Sequence, residues 1–108
     1  MKEITQRYRP GSCINEINQA ARQAMGDNSK YLIHGVSHHI GLDVHDSIDK
    51  FKPFEPGMIL TCEPGIYIRE EGIGIRIEND LLITEGEPVN LFAGLPTEIE
   101  EIEAAMQR

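Results

Sequence analysis

The chain has 108 residues, enough for one small domain with a modest core. Its formal net charge is −8 and it has no basic cluster, which argues against nucleic acid and anionic membrane as partners. The sequence also has no apolar run as long as a membrane span. The two cysteines, Cys13 and Cys62, are far apart in the sequence. We expect no secretion signal, and therefore a cytoplasmic protein in which both thiols are reduced.

Apolar residues at helical spacing predict a helix over about 13–25, after a segment, 1–11, that resembles the tail of another helix. Ser12 is the expected N-cap and Gly26 ends the helix, before a polar turn. We expect the apolar stripe to pack in the core; it comprises Ile14, Ile17, Ala20 or Ala21, Ala24 and Met25.

A second helix is predicted over about 98–107. Thr97 and Glu100 have the spacing of a capping box, with Thr97 as the N-cap and Glu100 as the third helical residue. The helix carries one apolar stripe, for which we expect only a packing role: Ile99, Ile102 and Met106.

All the histidines of the chain lie between His34 and His45. Histidine is the commonest transition-metal ligand and the usual proton shuttle near neutral pH. Glycines and β-branched residues favour an extended chain here, in which His34 and His38 share one face and His39 points away. A bend at Gly41 would return His45 to the face of His38. One interpretation is a site with two or three inward histidines; the other is a polar turn with a histidine or two hydrogen-bonded in a core.

The remaining segments predict strands and turns. Residues 46–57 are expected to form a loop and 69–72 a turn, and Pro64-Gly65 interrupts a strand. From residue 73 to 78, isoleucines alternate with other residues, which is the period of a strand with one apolar face. The predicted strand segments are 31–33, 58–63, 66–68, 73–78 and 81–83, with a short strand end at 90–92.

Two glutamates, Glu63 and Glu78, each end one of these strands. If the strands pair antiparallel about a turn near 70–71, Glu63 lies opposite Glu78 or one position from it. Adjacent carboxylates repel, and a bound metal would relieve that repulsion. The alternative is a pair of solvated surface glutamates with Arg76 as their counter-ion.

Three segments, in this order, strongly resemble Xaa-Pro aminopeptidase: 34–46, 56–67 and 72–80. This is a branch of the pita-bread metallopeptidases, which also include prolidase, methionine aminopeptidase and creatinase. The resemblance covers nearly the whole chain. It implies an α+β fold that corresponds to the C-terminal half of the catalytic domain, with an antiparallel sheet packed against two helices. Residues 1–108 are then expected to form a single partial domain.

The resemblance also implies a metal centre. His38, Glu63 and Glu78 match metal ligands; Glu63 additionally matches the general base, and Glu78 matches the glutamate that bridges two metals. The complete site of the family holds two divalent ions on five ligands, and we expect Mn first, with Co, Zn or Fe as alternatives. Two of those ligands are aspartates that come before the first helix, and no aspartate precedes Asp27 here. This chain is therefore expected to supply three of five ligands.

Other residues match the surroundings of that centre. His34 and His45 match histidines that line the substrate site, with His45 placed to hydrogen-bond the peptide carbonyl. Arg76 and Tyr67 match a pair that supports the ligands. His39 matches a variable position, and no role is assigned to it.

The implied activity is removal of the N-terminal residue from peptides with proline at position two. We expect the isolated chain to be nearly inactive, and to associate either with the missing N-terminal half or with itself. Two alternatives stay open: an Xaa-Pro dipeptidase (prolidase), and a pita-bread module that binds peptides or proteins without metal.

Overall fold

The structure, a computed structural model, describes residues 1–107 and confirms the α+β class and the first long helix. Helix α1 is a single turn, Lys2–Thr5, and α2 covers Ile14–Met25. The N-cap of α2 is Cys13 rather than Ser12, because Cys13 is the last residue with extended backbone angles, φ −142° and ψ 166°. A 3-10 helix, Gly26–Tyr31, follows directly where a polar turn was expected.

Within residues 1–107, six short strands form two antiparallel sheets. The strands are β1 (His39–Ile40), β2 (Ile59–Cys62), β3 (Gly65–Ile68), β4 (Ile73–Arg76), β5 (Asn79–Leu82) and β6 (Val89–Asn90). The larger sheet has the order β1-β2-β5-β6, and the smaller one is the hairpin β3–β4. A short 3-10 turn, Arg69–Glu71, joins β3 to β4.

One register runs through both sheets. Cys62 pairs with Asn79 in β2–β5, and Gly65 pairs with Arg76 in β3–β4. The two residues between these pairs on each strand continue that register across the break at Pro64, so Glu63 lies opposite Glu78. The strand pattern therefore predicts this juxtaposition correctly.

The predicted strand at 31–33 is wrong. Tyr31 ends the 3-10 helix, and regular pairing begins only at His39, opposite Leu60. At 31–33, the Leu32 N–H donates to the Ser29 carbonyl and the Leu32 carbonyl accepts from Arg22, so neither group pairs with a strand. Closer to β1, the Val36 N–H donates to Asn18 Oδ1 at 2.9 Å, and the His38 N–H donates to Thr61 Oγ1 at 3.0 Å. The segment before β1 is therefore held to the sheet without being a strand.

The core lies between α2 and the larger sheet. Tyr8 and Phe54 stack in it with ring centroids 6.0 Å apart, and Leu60 and Leu81 fill the sheet face. Both cysteines are free thiols, Cys62 buried and Cys13 half-buried. Further core residues include Ile4, Ile14, Ile17, Ala20, Ala21, Leu32, Val36 and Ile83. The apolar stripe of α2 thus packs as predicted, except that Ala24 is exposed.

Helix α3 covers Ile99–Met106, close to the predicted range, but its expected packing is wrong. Ile99 is 71% exposed and Met106 is 78% exposed, and the helix has no buried residue. The N-cap is Glu98, without a capping hydrogen bond, so the predicted capping box at Thr97 does not form. The segment 91–96 that joins the sheet to α3 is also exposed, and within residues 1–107 no element buries the stripe. None of the helices in that range is long and apolar enough to cross a membrane.

Candidate metal centre

The structure brings His38, Glu63 and Glu78 together at the junction of the two sheets. One ligand atom from each side chain lies within 4.8 Å of the other two. His38 is half-buried, Glu63 is buried and Glu78 is exposed, so the cluster opens to solvent on one side. Glu63 and Glu78 are adjacent because of the strand register, and His38 reaches them from the segment that precedes β1.

The orientation of His38 suits a metal ligand. Its Nδ1 lies 3.1 Å from the His39 carbonyl oxygen, and because a carbonyl only accepts, Nδ1 carries the hydrogen. The lone pair of the neutral ring is then on Nε2, which lies 3.1 Å from Glu63 Oε1. A lone pair facing a carboxylate oxygen requires a proton or a cation between them. The residues therefore fit a divalent ion, and one imidazole with two carboxylates suits Mn, Co, Fe or Zn.

Arg76 occupies the position of a counter-ion to both glutamates. Its Nη1 lies 3.8 Å from Glu63 Oε2, and its Nε lies 3.8 Å from Glu78 Oε2. These distances are longer than good hydrogen bonds, and the Arg76 side chain is 48% exposed. The guanidinium thus offsets part of the repulsion between the carboxylates but leaves Glu63 Oε1 facing His38.

His45 also lies beside the cluster. Its ring centroid is 4.2 Å from that of His38, with the planes tilted by 41°. A tight loop returns the chain to this place: the Gly41 N–H bonds the Asp43 carbonyl, and the Asp46 N–H bonds the His39 carbonyl. A side chain on Gly41 would have to displace the carboxylate of Asp46, which packs against the glycine.

His34 and His39 lie away from the three clustered residues. His34 Nε2 is 2.9 Å from the Tyr67 hydroxyl, which places His34 over the β3–β4 hairpin. His39 points to the opposite side, where its ring meets Phe54 edge-on at 6.2 Å. Burial lowers the pKa of His39 below its usual value. Tyr67 thus contacts His34, whereas Arg76, its expected companion, lies beside the glutamates.

Two residues that the sequence reasoning did not single out also lie at this site. Thr61 is fully buried and hydrogen-bonds both Glu63 Oε1 and the His38 amide. Burial raises the pKa of the Asp80 carboxyl, and the neighbouring Glu63 carboxylate adds to that shift. The signal available for Thr61 was its position two residues before Glu63, on the same face of one strand.

Residues 1–85 match the model of metallopeptidase family M24. The chain belongs to this family. It is 39% identical to Xaa-Pro aminopeptidase of Escherichia coli K12 in an alignment that is 131 positions long with its gaps and covers 92% of the chain and 30% of that protein. It is also 42% identical to rat Xaa-Pro aminopeptidase 3 over 90 positions, covering 73% of the chain and 18% of the relative.

Solved structures show the same fold. An aminopeptidase P structure from Bacillus anthracis superposes with a TM-score of 0.83 at 43% identity, over 95% of this chain and 28% of that one. Zinc-substituted aminopeptidase P of E. coli in complex with product gives a TM-score of 0.82 at 36% identity, over 97% and 31% of the two chains. The M24 chain described here thus spans less than a third of these relatives. Its fold corresponds to part of a pita-bread aminopeptidase.

Proposed function

We propose that this chain supplies His38, Glu63 and Glu78 to the two-metal centre of an Xaa-Pro aminopeptidase. Its reaction is removal of the N-terminal residue from peptides with proline at position two. The observation that carries the proposal is the cluster itself, with one ligand atom from each residue within 4.8 Å of the others. Membership of family M24 and 39% identity to the E. coli Xaa-Pro aminopeptidase support the substrate class.

A bound metal pair would polarise the scissile carbonyl and lower the pKa of the attacking water. Glu63 is the proposed general base, since its carboxylate is buried and belongs to the cluster that would hold the metals. His45, exposed next to the His38 ring, donates a hydrogen bond to the substrate carbonyl oxygen. His34, which is oriented by the Tyr67 hydroxyl, lines the substrate side of the site.

The metals are proposed to be manganese, with cobalt, zinc and iron as alternatives. The support is the donor set, a single imidazole with two carboxylates, which is harder than the thiolate-rich sites of structural zinc. The zinc-substituted E. coli relative indicates that a site of this fold accepts more than one divalent ion.

Three ligands bind a metal pair poorly, so we further propose that residues 1–108 alone are nearly inactive. The two aspartates that complete the centre would come from a complementing N-terminal segment. The outer face of the β3–β4 hairpin supports such pairing, because Ile73 and Ile75 are 51% and 64% exposed and border an apolar cavity of about 400 Å³. Self-association through that face is the alternative.

A cytoplasmic location is likewise a proposal, supported by the two free thiols.

The decisive experiment mixes the pure chain with a separately expressed N-terminal segment carrying the two aspartates. We expect two Mn²⁺ per complex, and cleavage of Ala-Pro-Ala but not Ala-Ala-Ala, only after mixing. The same mixture with Glu63→Gln should bind peptide without turnover.

Other outcomes separate the alternatives. Turnover of Ala-Pro but not Ala-Pro-Ala would indicate a prolidase instead. Peptide binding without metal would indicate the metal-free module. Turnover by the unmixed chain would contradict its expected inactivity.

A further inference from the structure

Thr61 lies fully buried in strand β2, beneath the cluster of His38, Glu63 and Glu78. Its hydroxyl is 3.0 Å from the His38 amide nitrogen and 3.1 Å from Glu63 Oε1. One oxygen atom therefore touches the backbone of one proposed ligand and the carboxylate of another.

The direction of both hydrogen bonds follows from their chemistry. The His38 N–H can only donate, so the Thr61 oxygen accepts there. The hydroxyl hydrogen is then free for the Glu63 carboxylate, which as an anion can only accept. The hydroxyl thus has one defined orientation, and a charge-assisted bond holds Glu63 Oε1 toward the His38 ring.

The backbone of Thr61 holds the same arrangement. Its N–H donates to the His38 carbonyl at 3.0 Å, and its own carbonyl accepts from the Tyr8 hydroxyl at 2.9 Å. Tyr8 is buried and packed against Phe54, so β2 cannot shift easily relative to the core at this position. The bond to His38 and the packing of the Tyr8 ring on Phe54 therefore fix the Thr61 backbone. Both remain in Tyr8→Phe, and the Thr61 hydroxyl in turn positions His38 and Glu63.

We propose that Thr61 is a positioning residue, whose hydroxyl sets the separation of His38 and Glu63 and thereby the metal affinity of the site. This inference rests on the proposed function, since it takes both residues as ligands. Without the hydroxyl, the Glu63 carboxylate loses its partner on the buried side and swings toward Arg76, which lies 3.8 Å from its other oxygen. The His38 amide also loses its acceptor, which loosens the segment that carries the imidazole.

The test compares Thr61→Val, which keeps the shape and removes the hydroxyl, with Thr61→Ser, which keeps the hydroxyl. Co²⁺ alone is the probe, added to the pure chain and followed by its visible absorption. We expect Thr61→Val to lower Co²⁺ affinity about 10- to 100-fold and to change the spectrum, whereas Thr61→Ser stays within about threefold of the parent chain.

Tyr8→Phe is the matched control. It removes the neighbouring buried hydrogen bond to the Thr61 carbonyl but leaves the Thr61 hydroxyl in place. If Thr61 were important only for folding, Tyr8→Phe and Thr61→Val would lower stability alike and leave Co²⁺ affinity unchanged. We expect Tyr8→Phe to lower stability and to leave Co²⁺ affinity unchanged.

Co²⁺ affinity within threefold of the parent in Thr61→Val would overturn the inference. Should Thr61→Val not fold, Thr61→Ala against Thr61→Ser tests the same hydroxyl. If the parent chain binds no more Co²⁺ than the variant His38→Ala, the metal-centre proposal itself fails. In that case a second, metal-free readout still tests Thr61: exchange of the His38 amide hydrogen should accelerate in Thr61→Val and not in Thr61→Ser, and equal rates would refute the positioning role.

Discussion

The Tyr67 hydroxyl lies 2.9 Å from Nε2 of His34, and this contact ties the β3–β4 hairpin to the histidine segment. His34 Nδ1 is 2.7 Å from the Gly35 carbonyl, so Nδ1 carries the hydrogen and Nε2 accepts from Tyr67. The Tyr67 ring covers two positions that lack a side chain, Gly65 and Gly74. The glycines thus define where Tyr67 lies, and Tyr67 defines where His34 lies.

Substitution of Gly74 by alanine should break this contact. The new Cβ would lie 2.8 Å from Cδ1 of Tyr67, which is too close, so the ring must move away from His34. We expect a stability loss of about 1–3 kcal/mol, as for other overpacked sites, and loss of the His34–Tyr67 contact. Denaturant unfolding and NMR of the two rings measure these effects. Gly86→Ala, which meets nothing within 4 Å, is the control. An unmoved Tyr67 ring in Gly74→Ala would contradict the account.

Replacing Arg76 by glutamine should reveal the repulsion between the facing glutamates. With metal chelated, we expect Arg76→Gln to lower the free energy of unfolding by less than about 1 kcal/mol, because the guanidinium is half-exposed and screened. The loss should shrink as NaCl rises. The loss should be smaller in Glu78→Gln, where one of the two charges is absent and only Glu63 still faces Arg76. Equal losses in both backgrounds, measured by urea unfolding, would show that Arg76 acts through something else.

Stability should fall in alkaline solution because of Tyr8. Burial raises the pKa of its phenol well above the usual value, and the neighbouring Cys62 adds to that shift. The unfolded chain therefore ionises first, at its ordinary pKa of about 10. The contribution is fully present below that pH and declines as the pH rises through and beyond it. Unfolding free energies between pH 8 and pH 11 should show a shallower decline in Tyr8→Phe than in the parent or in Tyr31→Phe. An identical decline in all three would exclude Tyr8 as the cause.

The helical and strand patterns of the sequence are sufficient to predict the parts of the fold that depend on local spacing. Helix α2 and the antiparallel register follow from periodicity, and the register alone brings Glu63 opposite Glu78. The bend at Gly41 likewise follows from a glycine between extended segments, and it returns His45 to the side of His38.

Features that depend on tertiary contacts were not predictable in this way. The segment before β1 looks like a strand, but Asn18 and Thr61 take its amide hydrogen bonds through their side chains. The stripe of α3 predicts packing, but periodicity does not specify which surface covers it. Thr61 was overlooked because a threonine in an apolar strand looks like ordinary β-sheet composition.

The most direct test of the metal centre is Mn²⁺ binding to the pure chain, measured by EPR or calorimetry, with Glu78→Gln beside Glu71→Gln. Glu78 belongs to the cluster, whereas Glu71 is an exposed glutamate in the turn after β3. We predict that Glu78→Gln lowers Mn²⁺ affinity by at least about tenfold, while Glu71→Gln leaves it within about threefold. Equal Mn²⁺ affinity in the parent chain and both variants would contradict the assignment of His38, Glu63 and Glu78 as a metal centre.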